Sequence, residues 1–191
     1  MLNAELGGHV LSMSCVRCNA ADPDIAIVTF GGYNKLHENI GGRAFRDVSE
    51  KAGISLYPRW GFAMAAFDFN NDGFEDILFS SYVQPMSLGE IYAFTHDEPW
   101  DERVQSDELS SRLYINQGDG TFKDATRAVG LDGPLLTMGM NIGDINNDGF
   151  IDVYFGIGDN AYSSPSPNLM FRNIEGKHFA AAKNDGLSVL A

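Results

Sequence analysis

An all-β fold built from a repeated unit of four short antiparallel strands is predicted by three observations. Short runs rich in β-branched and aromatic residues, such as ILFSSY, VYFGIG and RLYIN, alternate with turns rich in Gly and Asp. The sequence DFNNDGFED at 68–76 returns as DINNDGFID at 144–152. An asparagine is followed six residues later by a phenylalanine in each of three segments, 34–54, 111–131 and 167–187. The chain is therefore expected to contain about three copies of one unit.

The four strands of each unit can be assigned in order. The first is the apolar stretch before the DxNxDG loop, 61–67 or 138–143, and the second begins where that loop ends. The third and fourth are RLYIN and TFKDAT, and the QGDG between them favours a hairpin because Asp-Gly readily adopts positive φ. Helix is the competing interpretation for GFAMAAF, but that run is short and a strand fits the repeat better. Four-stranded antiparallel units repeated around an axis are the blades of a β-propeller.

The repeat divides the chain into three predicted blades, 1–54, 55–131 and 132–191. Propellers typically close with four to eight blades, so three blades are predicted to form only part of a ring. The expected partners are therefore further blades, supplied by a longer chain, by other copies or by another subunit. Without them, each terminal blade exposes an apolar face that is suited to a neighbour.

The first blade is predicted to have lost the loop chemistry of the other two. When Asp24 is aligned with Asp76, residues without side-chain carboxylate or amide oxygens occupy the other loop positions. These residues are Val16, Cys18 and Ala20, opposite Asp68, Asn70 and Asp72. Cys15 and Cys18 provide neither the four ligands of a structural zinc nor a haem attachment motif. A local disulfide and two inert thiols are the remaining interpretations.

The two DxNxDG loops are the candidate metal sites. Calcium typically takes six to eight oxygen ligands, which carboxylates, amides and backbone carbonyls at alternate positions supply. An EF-hand is excluded because position 12 is Phe79 or Phe155, where a bidentate glutamate is required. The same residue types also form metal-free turns, but closely spaced acids repel one another unless a cation lies among them. Two structural calcium ions are expected, with the ligands Asp68, Asn70, Asp72, Phe74 (through its carbonyl) and Asp76 in one loop, and Asp144, Asn146, Asp148, Phe150 (through its carbonyl) and Asp152 in the other.

Composition and charge restrict the class of partner. The 191 residues include 26 acids against 13 Lys and Arg, which gives a net charge of −13. This charge argues against a nucleic-acid partner, because phosphate binding needs a basic surface. The apolar run at 60–67 is too short to cross a bilayer, so membrane insertion is not expected, and the first residues lack the apolar segment of a signal peptide.

The segments RLYINQGDGTFKDAT and GDINNDGFIDVYF resemble the FG-GAP and VCBS repeats of integrin-type propellers, including bacterial proteins of the ASPIC/UnbV-associated kind. The resemblance covers nearly the whole chain. It implies a non-catalytic, calcium-binding module for adhesion to a protein or carbohydrate ligand. It also implies a location outside the cell, at the cell surface or in the periplasm. The alternative is part of a propeller enzyme of the lyase, glycosidase or quinoprotein type, with its active site on the face opposite the metal loops.

One connection between strands is much longer than its counterparts, and the excess lies at 83–111. This insertion is predicted to lie on the face opposite the metal loops. It mixes aromatic side chains with acids, which suits stacking on a sugar or docking of a basic partner, while the alternative is a surface segment that covers the blade edge. No histidine of the chain lies in a recognisable nucleophile motif. The candidate residues of the insertion are Tyr92, Phe94, His96, Trp100 and Arg103.

Overall fold

The computed structural model describes residues 9–18, 22–54, 59–82, 110–131, 135, 137–158 and 168–182, and these residues form strands and no helix. The first four-stranded unit contains β1 (His9–Val16), β2 (Asp24–Gly32), β3 (Lys35–Asn39) and β4 (Phe45–Asp47). The second contains β5 (Arg59–Phe67), β6 (Asp76–Ser81), β7 (Arg112–Asn116) and β8 (Phe122–Asp124). The third contains β9 (Thr137–Gly143), β10 (Asp152–Ile157), β11 (Leu169–Ile174) and β12 (His178–Ala181).

Each unit is an antiparallel meander in which consecutive strands pair. The first two units are also joined by hydrogen bonds, because the end of β2 pairs with the start of β5. The third unit is a separate four-stranded sheet. This architecture confirms the predicted fold class of four-stranded propeller blades. The stretch 61–67 lies in β5, so the strand interpretation was correct and the helix alternative was wrong.

The repeated asparagine and phenylalanine close the hairpin between the third and fourth strands of each unit. Asn116 pairs with Phe122 across the β7–β8 hairpin. The side chain of Asn116 accepts a hydrogen bond from the N–H of Gly118 at 2.9 Å, which holds the turn. Gly120 has a φ of 85°, as predicted for the Asp-Gly turn. The equivalent pairs are Asn39 with Phe45 and Asn173 with Phe179.

Two apolar cores lie between consecutive units. Alternate residues of β6 contribute to both, because successive side chains of a strand point to opposite faces. Ile77 and Phe79 belong to the core shared with the first unit, and Leu78 belongs to the core shared with the third. The middle blade is therefore buried on both faces by its neighbours.

The phenylalanine of the hairpin marks the contact with the preceding unit. The N–H of Phe122 donates to the carbonyl of Ala52 at 2.7 Å, and that of Phe179 donates to the carbonyl of Val129 at 2.8 Å. Phe122 and Phe179 are 6% and 5% exposed, whereas Phe45 in the first unit is 51% exposed. In the described part of the chain, the face that carries Phe45 therefore lacks the covering that its two equivalents have.

Candidate metal loops

The two DxNxDG loops adopt the same conformation, held by backbone N–H groups that donate to the first aspartate. Asp68 accepts hydrogen bonds from the N–H of Asp72 at 3.1 Å and of Gly73 at 2.8 Å. Asn71 has a φ of 58° and Gly73 a φ of 91°, conformations that Asn and Gly adopt at the lowest cost. In the second loop, Asp144 accepts from Asp148 at 3.0 Å and from Gly149 at 2.9 Å, and the φ angles of Asn147 and Gly149 are 58° and 89°.

In each loop, the side chains of the second and third predicted ligands are hydrogen-bonded to each other. Asn70 donates its Nδ2 to Asp72 Oδ2 at 2.8 Å, and Asn146 donates to Asp148 at 2.7 Å. Within the described residues, no three His, Cys, Asp or Glu side chains lie close enough to form a metal site by themselves. The predicted ligand sets add amide and carbonyl oxygens to the carboxylates. This all-oxygen donor set fits calcium and does not suit metals that prefer thiolate or imidazole.

Asp76, the predicted last ligand of the first loop, is fully buried, and both of its carboxylate oxygens accept backbone N–H groups. Oδ2 accepts from Phe69 and Oδ1 accepts from Asn116, each at 2.8 Å. Burial raises the pKa of Asp76 to about 7; the two N–H donors oppose this rise, and the charges of Asp72 and Asp68 add to it. Its role as a ligand stays a prediction, while its bridge between the loop and β7 is present in the structure.

The same bridge occurs in all three units, and we call Asp24, Asp76 and Asp152 the bridging aspartates. All three are buried, and each joins the loop before its own strand to the asparagine at or next to the end of the following strand. The donors are Ile145 at 3.0 Å and Asn173 at 2.8 Å for Asp152, and Cys18 at 3.1 Å and Asn39 at 2.8 Å for Asp24. Because Asp24 makes the bridge in a unit without the DxNxDG sequence, the bridge does not require a cation.

The loop of the first unit is one residue shorter than the other two, which corrects the alignment made from the sequence. Val16 pairs with Asp24 where Phe67 pairs with Asp76 in the second unit. Val16 is therefore equivalent to Phe67 and does not stand opposite Asp68. An alignment without gaps that is fixed at the bridging aspartate cannot show a deletion inside the loop, which is why the prediction was wrong by one position.

Cys18 is shifted in the same way. It corresponds to Phe69, because each donates its N–H to the bridging aspartate, and not to the asparagine of a metal loop. Cys15 is exposed, Cys18 is buried, and both are free, as the inert-thiol interpretation expects. Burial, followed by contact with the bridging aspartate, raises the pKa of the Cys18 thiol, which makes it unreactive. Ala20, the third aligned residue, lies outside the described residues.

Hydrogen bonds and close packing join the first metal loop to the third unit. Asn71 donates its Nδ2 to the carbonyl of Gly149, within the second metal loop, at 3.0 Å. Asn173 is buried and donates its Nδ2 to the carbonyl of Phe69 at 2.8 Å. Gly176 lies directly against the loop, where a Cβ atom would be 2.8 Å from a backbone Cα of the loop. The two metal loops are thus in direct contact through the hydrogen bond from Asn71 to Gly149, and the β11–β12 hairpin of the third unit also contacts the first loop.

The first and second units are joined at a similar place. Asn116 donates its Nδ2 to the carbonyl of Arg17 at 3.1 Å, and the N–H of Arg17 donates to Glu75 Oε2 at 2.7 Å. Asn116 and Asn173 therefore each bind the loop of the preceding blade, in addition to the turn of their own hairpin. The repeat in the sequence predicts that these asparagines are equivalent residues, but it does not predict that they join blades.

The metal loop and the hairpin turn lie at the same end of the blade. The aromatic ring of Phe74 covers Gly118, where a Cβ atom would be 2.7 Å from the ring. Residues 83–109 of the insertion lie outside the described residues, so its position at the opposite end and its aromatic candidates Tyr92, Phe94, His96 and Trp100, together with Arg103, stay predictions. None of the described residues belongs to a helix that is long and apolar enough to cross a membrane.

Comparison with known proteins agrees with the repeat. A family model described as an FG-GAP-like repeat matches residues 21–79 and 101–155, more than half of the chain. Cartilage acidic protein 1 of Xenopus tropicalis is 27% identical over 175 residues, which cover 90% of this chain and 22% of the relative. Cartilage acidic protein 1 of Homo sapiens is 27% identical over 176 residues, with the same coverage of 90% and 22%. The chain therefore spans 22% of the length of these curated relatives.

Proposed function

The chain belongs to the FG-GAP-like repeat family, and from this premise we propose that it is a calcium-stabilised, non-catalytic propeller segment that binds a protein or carbohydrate ligand. The observation that carries the proposal is the pair of DxNxDG loops, which share one conformation and present only oxygen donors. An adhesive function is supported by the family. The ligand class is carried by the family resemblance alone.

Each loop is proposed to hold one calcium ion. Calcium supplies positive charge, which offsets the repulsion among the carboxylates of the loop. It also favours the ionised form of Asp76, whose pKa is raised to about 7 by burial. The expected result is a more stable blade, since the loop links the first two strands of the unit. The proposed ligands are Asp68, Asn70, Asp72, Phe74 and Asp76 in the first loop, and Asp144, Asn146, Asp148, Phe150 and Asp152 in the second.

Further blades are the proposed structural partners. The support is the exposed face of the first unit, where Phe45 is 51% exposed while its equivalents are covered by a preceding blade. A blade from a longer chain, from another copy or from another subunit would cover this face as the first unit covers Phe122. The protein or carbohydrate ligand would then bind to the assembled propeller.

A location outside the cell, at the cell surface or in the periplasm is part of the proposal. It is supported by the family resemblance and by relatives whose name associates them with cartilage and describes them as acidic. The net charge of −13 makes this chain acidic as well. An acidic surface is compatible with a calcium-rich environment, because divalent cations reduce the repulsion among carboxylates.

Thermal unfolding with calcium chloride and with EDTA tests the proposal. At a calcium concentration of 100 times Kd, one occupied site is expected to stabilise the folded state by about 2.7 kcal/mol, which raises Tm. The Asp72→Ala variant removes one predicted ligand and should show a smaller calcium-dependent rise. An unchanged Tm in EDTA would contradict the calcium proposal.

Asp119→Ala is the matched control for that experiment. Asp119 is also an exposed aspartate in a glycine-rich turn, and its Oδ1 accepts an N–H two residues later at 2.9 Å, as that of Asp72 does. The two variants therefore lose the same charge and the same kind of turn hydrogen bond. Calcium should stabilise Asp119→Ala as it stabilises the unsubstituted protein. Equal calcium responses in the two variants would show that the loop is not the binding site.

A further inference from the structure

The contact between the two metal loops points to communication between them. We propose that a divalent cation bound in one loop raises the affinity of the other loop, and that the hydrogen bond from Asn71 to Gly149 carries part of this coupling. The inference rests on the proposed function, because both loops must bind a cation. It goes further in stating that the two sites act as one cooperative unit.

The position of the two residues connects the ligand sets directly. Asn71 lies between two predicted ligands of the first loop, and Gly149 lies between two predicted ligands of the second. The hydrogen bond from Asn71 Nδ2 to the Gly149 carbonyl is 3.0 Å long. When a cation orders the turn that fixes Asn71 at a φ of 58°, the donor is held in place for the second loop. The ordering cost of the second loop is then smaller when the first is filled.

A second, buried connection runs between the opposite ends of the two loops. Asn173 donates its side-chain Nδ2 to the carbonyl of Phe69, near the start of the first loop, at 2.8 Å. The backbone N–H of the same residue donates to Asp152, at the end of the second loop, also at 2.8 Å. One fully buried residue therefore contacts both loops, and Gly176 packs against the first of them. Contacts of this kind transmit displacement because packed interiors leave little free space.

Repulsion between the two cations opposes the coupling. Each predicted ligand set contains three carboxylates, so the formal charge of a loop changes from about −3 to about −1 when one calcium ion binds and all three are ionised. The carboxylates are present before and after binding and do not remove this cost, but both loops are exposed, so water and salt screen it. The short contacts between the loops are expected to dominate the sign of the coupling.

The second loop contains a matched control residue. Asn147 occupies the same position as Asn71, has the same φ of 58° and is exposed as Asn71 is. Its side chain has no cross-loop partner in the described part of the chain. The Asn71→Gly and Asn147→Gly variants therefore remove the same side chain, and glycine accepts the positive φ without strain. The two variants differ in one property, the loss of the bond between the loops.

Calcium titration by isothermal calorimetry tests the coupling, with calcium chloride as the only added ligand. The unsubstituted protein is expected to bind two ions, with a Hill coefficient above 1 and a second ion bound about five-fold or more tightly than in the absence of the first. Asn71→Gly should still bind two ions but reduce this ratio by at least about two-fold, the change expected for one exposed hydrogen bond. Asn147→Gly should behave as the unsubstituted protein does.

Three results would overturn the inference. Two ions bound independently by the unsubstituted protein would show that the sites are separate. Equal loss of cooperativity in both glycine variants would show that the effect does not run through the hydrogen bond between Asn71 and Gly149. If the unsubstituted protein bound no calcium, the proposed function would fail and the coupling with it, an outcome distinct from two independent sites.

Discussion

The bridging aspartate of the middle blade offers a direct test of what holds a blade together. In the Asp76→Ala variant, the backbone N–H groups of Phe69 and Asn116 lose the carboxylate that accepts them at 2.8 Å each. Both hydrogen bonds are buried, so water cannot easily replace the carboxylate. An unpaired buried donor costs about 1–3 kcal/mol, so two donors should reduce the free energy of unfolding by about 2–6 kcal/mol.

Urea denaturation at about pH 4, where Asp76 retains its proton in the folded state, followed by far-UV circular dichroism, measures this loss, and a calcium-free buffer removes any contribution from calcium. Glu75→Ala is the control, because the neighbouring Glu75 accepts one backbone N–H, from Arg17, at an exposed position. That variant is expected to lose about 1 kcal/mol or less. A loss in Asp76→Ala no larger than in Glu75→Ala would refute the reasoning, since it would mean that the orphaned N–H groups find other partners.

Three further predictions concern pH, packing and turn geometry. In EDTA, the free energy of unfolding should fall by up to about 4 kcal/mol as pH rises from about 4 to about 7, because the folded state retains a proton on Asp76 that the unfolded state has released. Urea titrations at several pH values measure how the free energy of unfolding changes with pH, and this change should be smaller in the Asp76→Asn variant. If the pH dependence persisted in the variant, titratable groups other than Asp76 would be its cause. In the same assay, Phe122→Ala should reduce the free energy of unfolding by about 3–5 kcal/mol, and Phe45→Ala should reduce it by about 0.5 kcal/mol or less. The reason is that only Phe122 is buried between blades. Equal losses would contradict the assignment of the inter-blade contact. Gly118→Ala should lower Tm more than Gly120→Ala. Both glycines have positive φ, but only a Cβ atom at Gly118 would meet an aromatic ring, that of Phe74, at 2.7 Å. The reverse order would contradict the packing of the metal loop on this turn.

The strands and turns of the blades were predictable because their signals are local. Alternating apolar runs, the Asp-Gly turn and the repeated DxNxDG sequence each specify the conformation of a few neighbouring residues. The pairing of Asn116 with Phe122 follows from the same logic, since six residues is the span of one hairpin. The recurrence of this spacing in three segments makes the repeat visible in the amino-acid sequence alone.

The role of the bridging aspartates was missed, although the sequence contained a signal for it. Asp24 recurs at the start of the second strand in a unit whose loop has otherwise lost the DxNxDG sequence. A residue that persists when the rest of a metal motif has changed is expected to serve the fold. Asp76 and Asp152 were instead predicted only as metal ligands, because they complete the spacing of an oxygen donor set.

Contacts between blades could not be predicted from the sequence. Asn71 and Gly149 are 78 residues apart, and Asn173 and Phe69 are 104 residues apart. No local periodicity encodes such pairs, because they depend on how one blade packs on the next. The deletion in the first loop was hidden for a related reason, since only the strand pairing of Val16 with Asp24 shows where the loop begins.

The bridging aspartates make the loop of each blade an exchangeable part. The same pair of strand ends is joined by loops of two lengths, between Val16 and Asp24 in the first unit and between Phe67 and Asp76 in the second. In both cases the aspartate bonds the incoming loop and the following hairpin, whatever the loop contains. During evolution, a blade of this design can gain or lose a DxNxDG loop without a new architecture, and a protein engineer can transplant loops between blades at the same two anchor points.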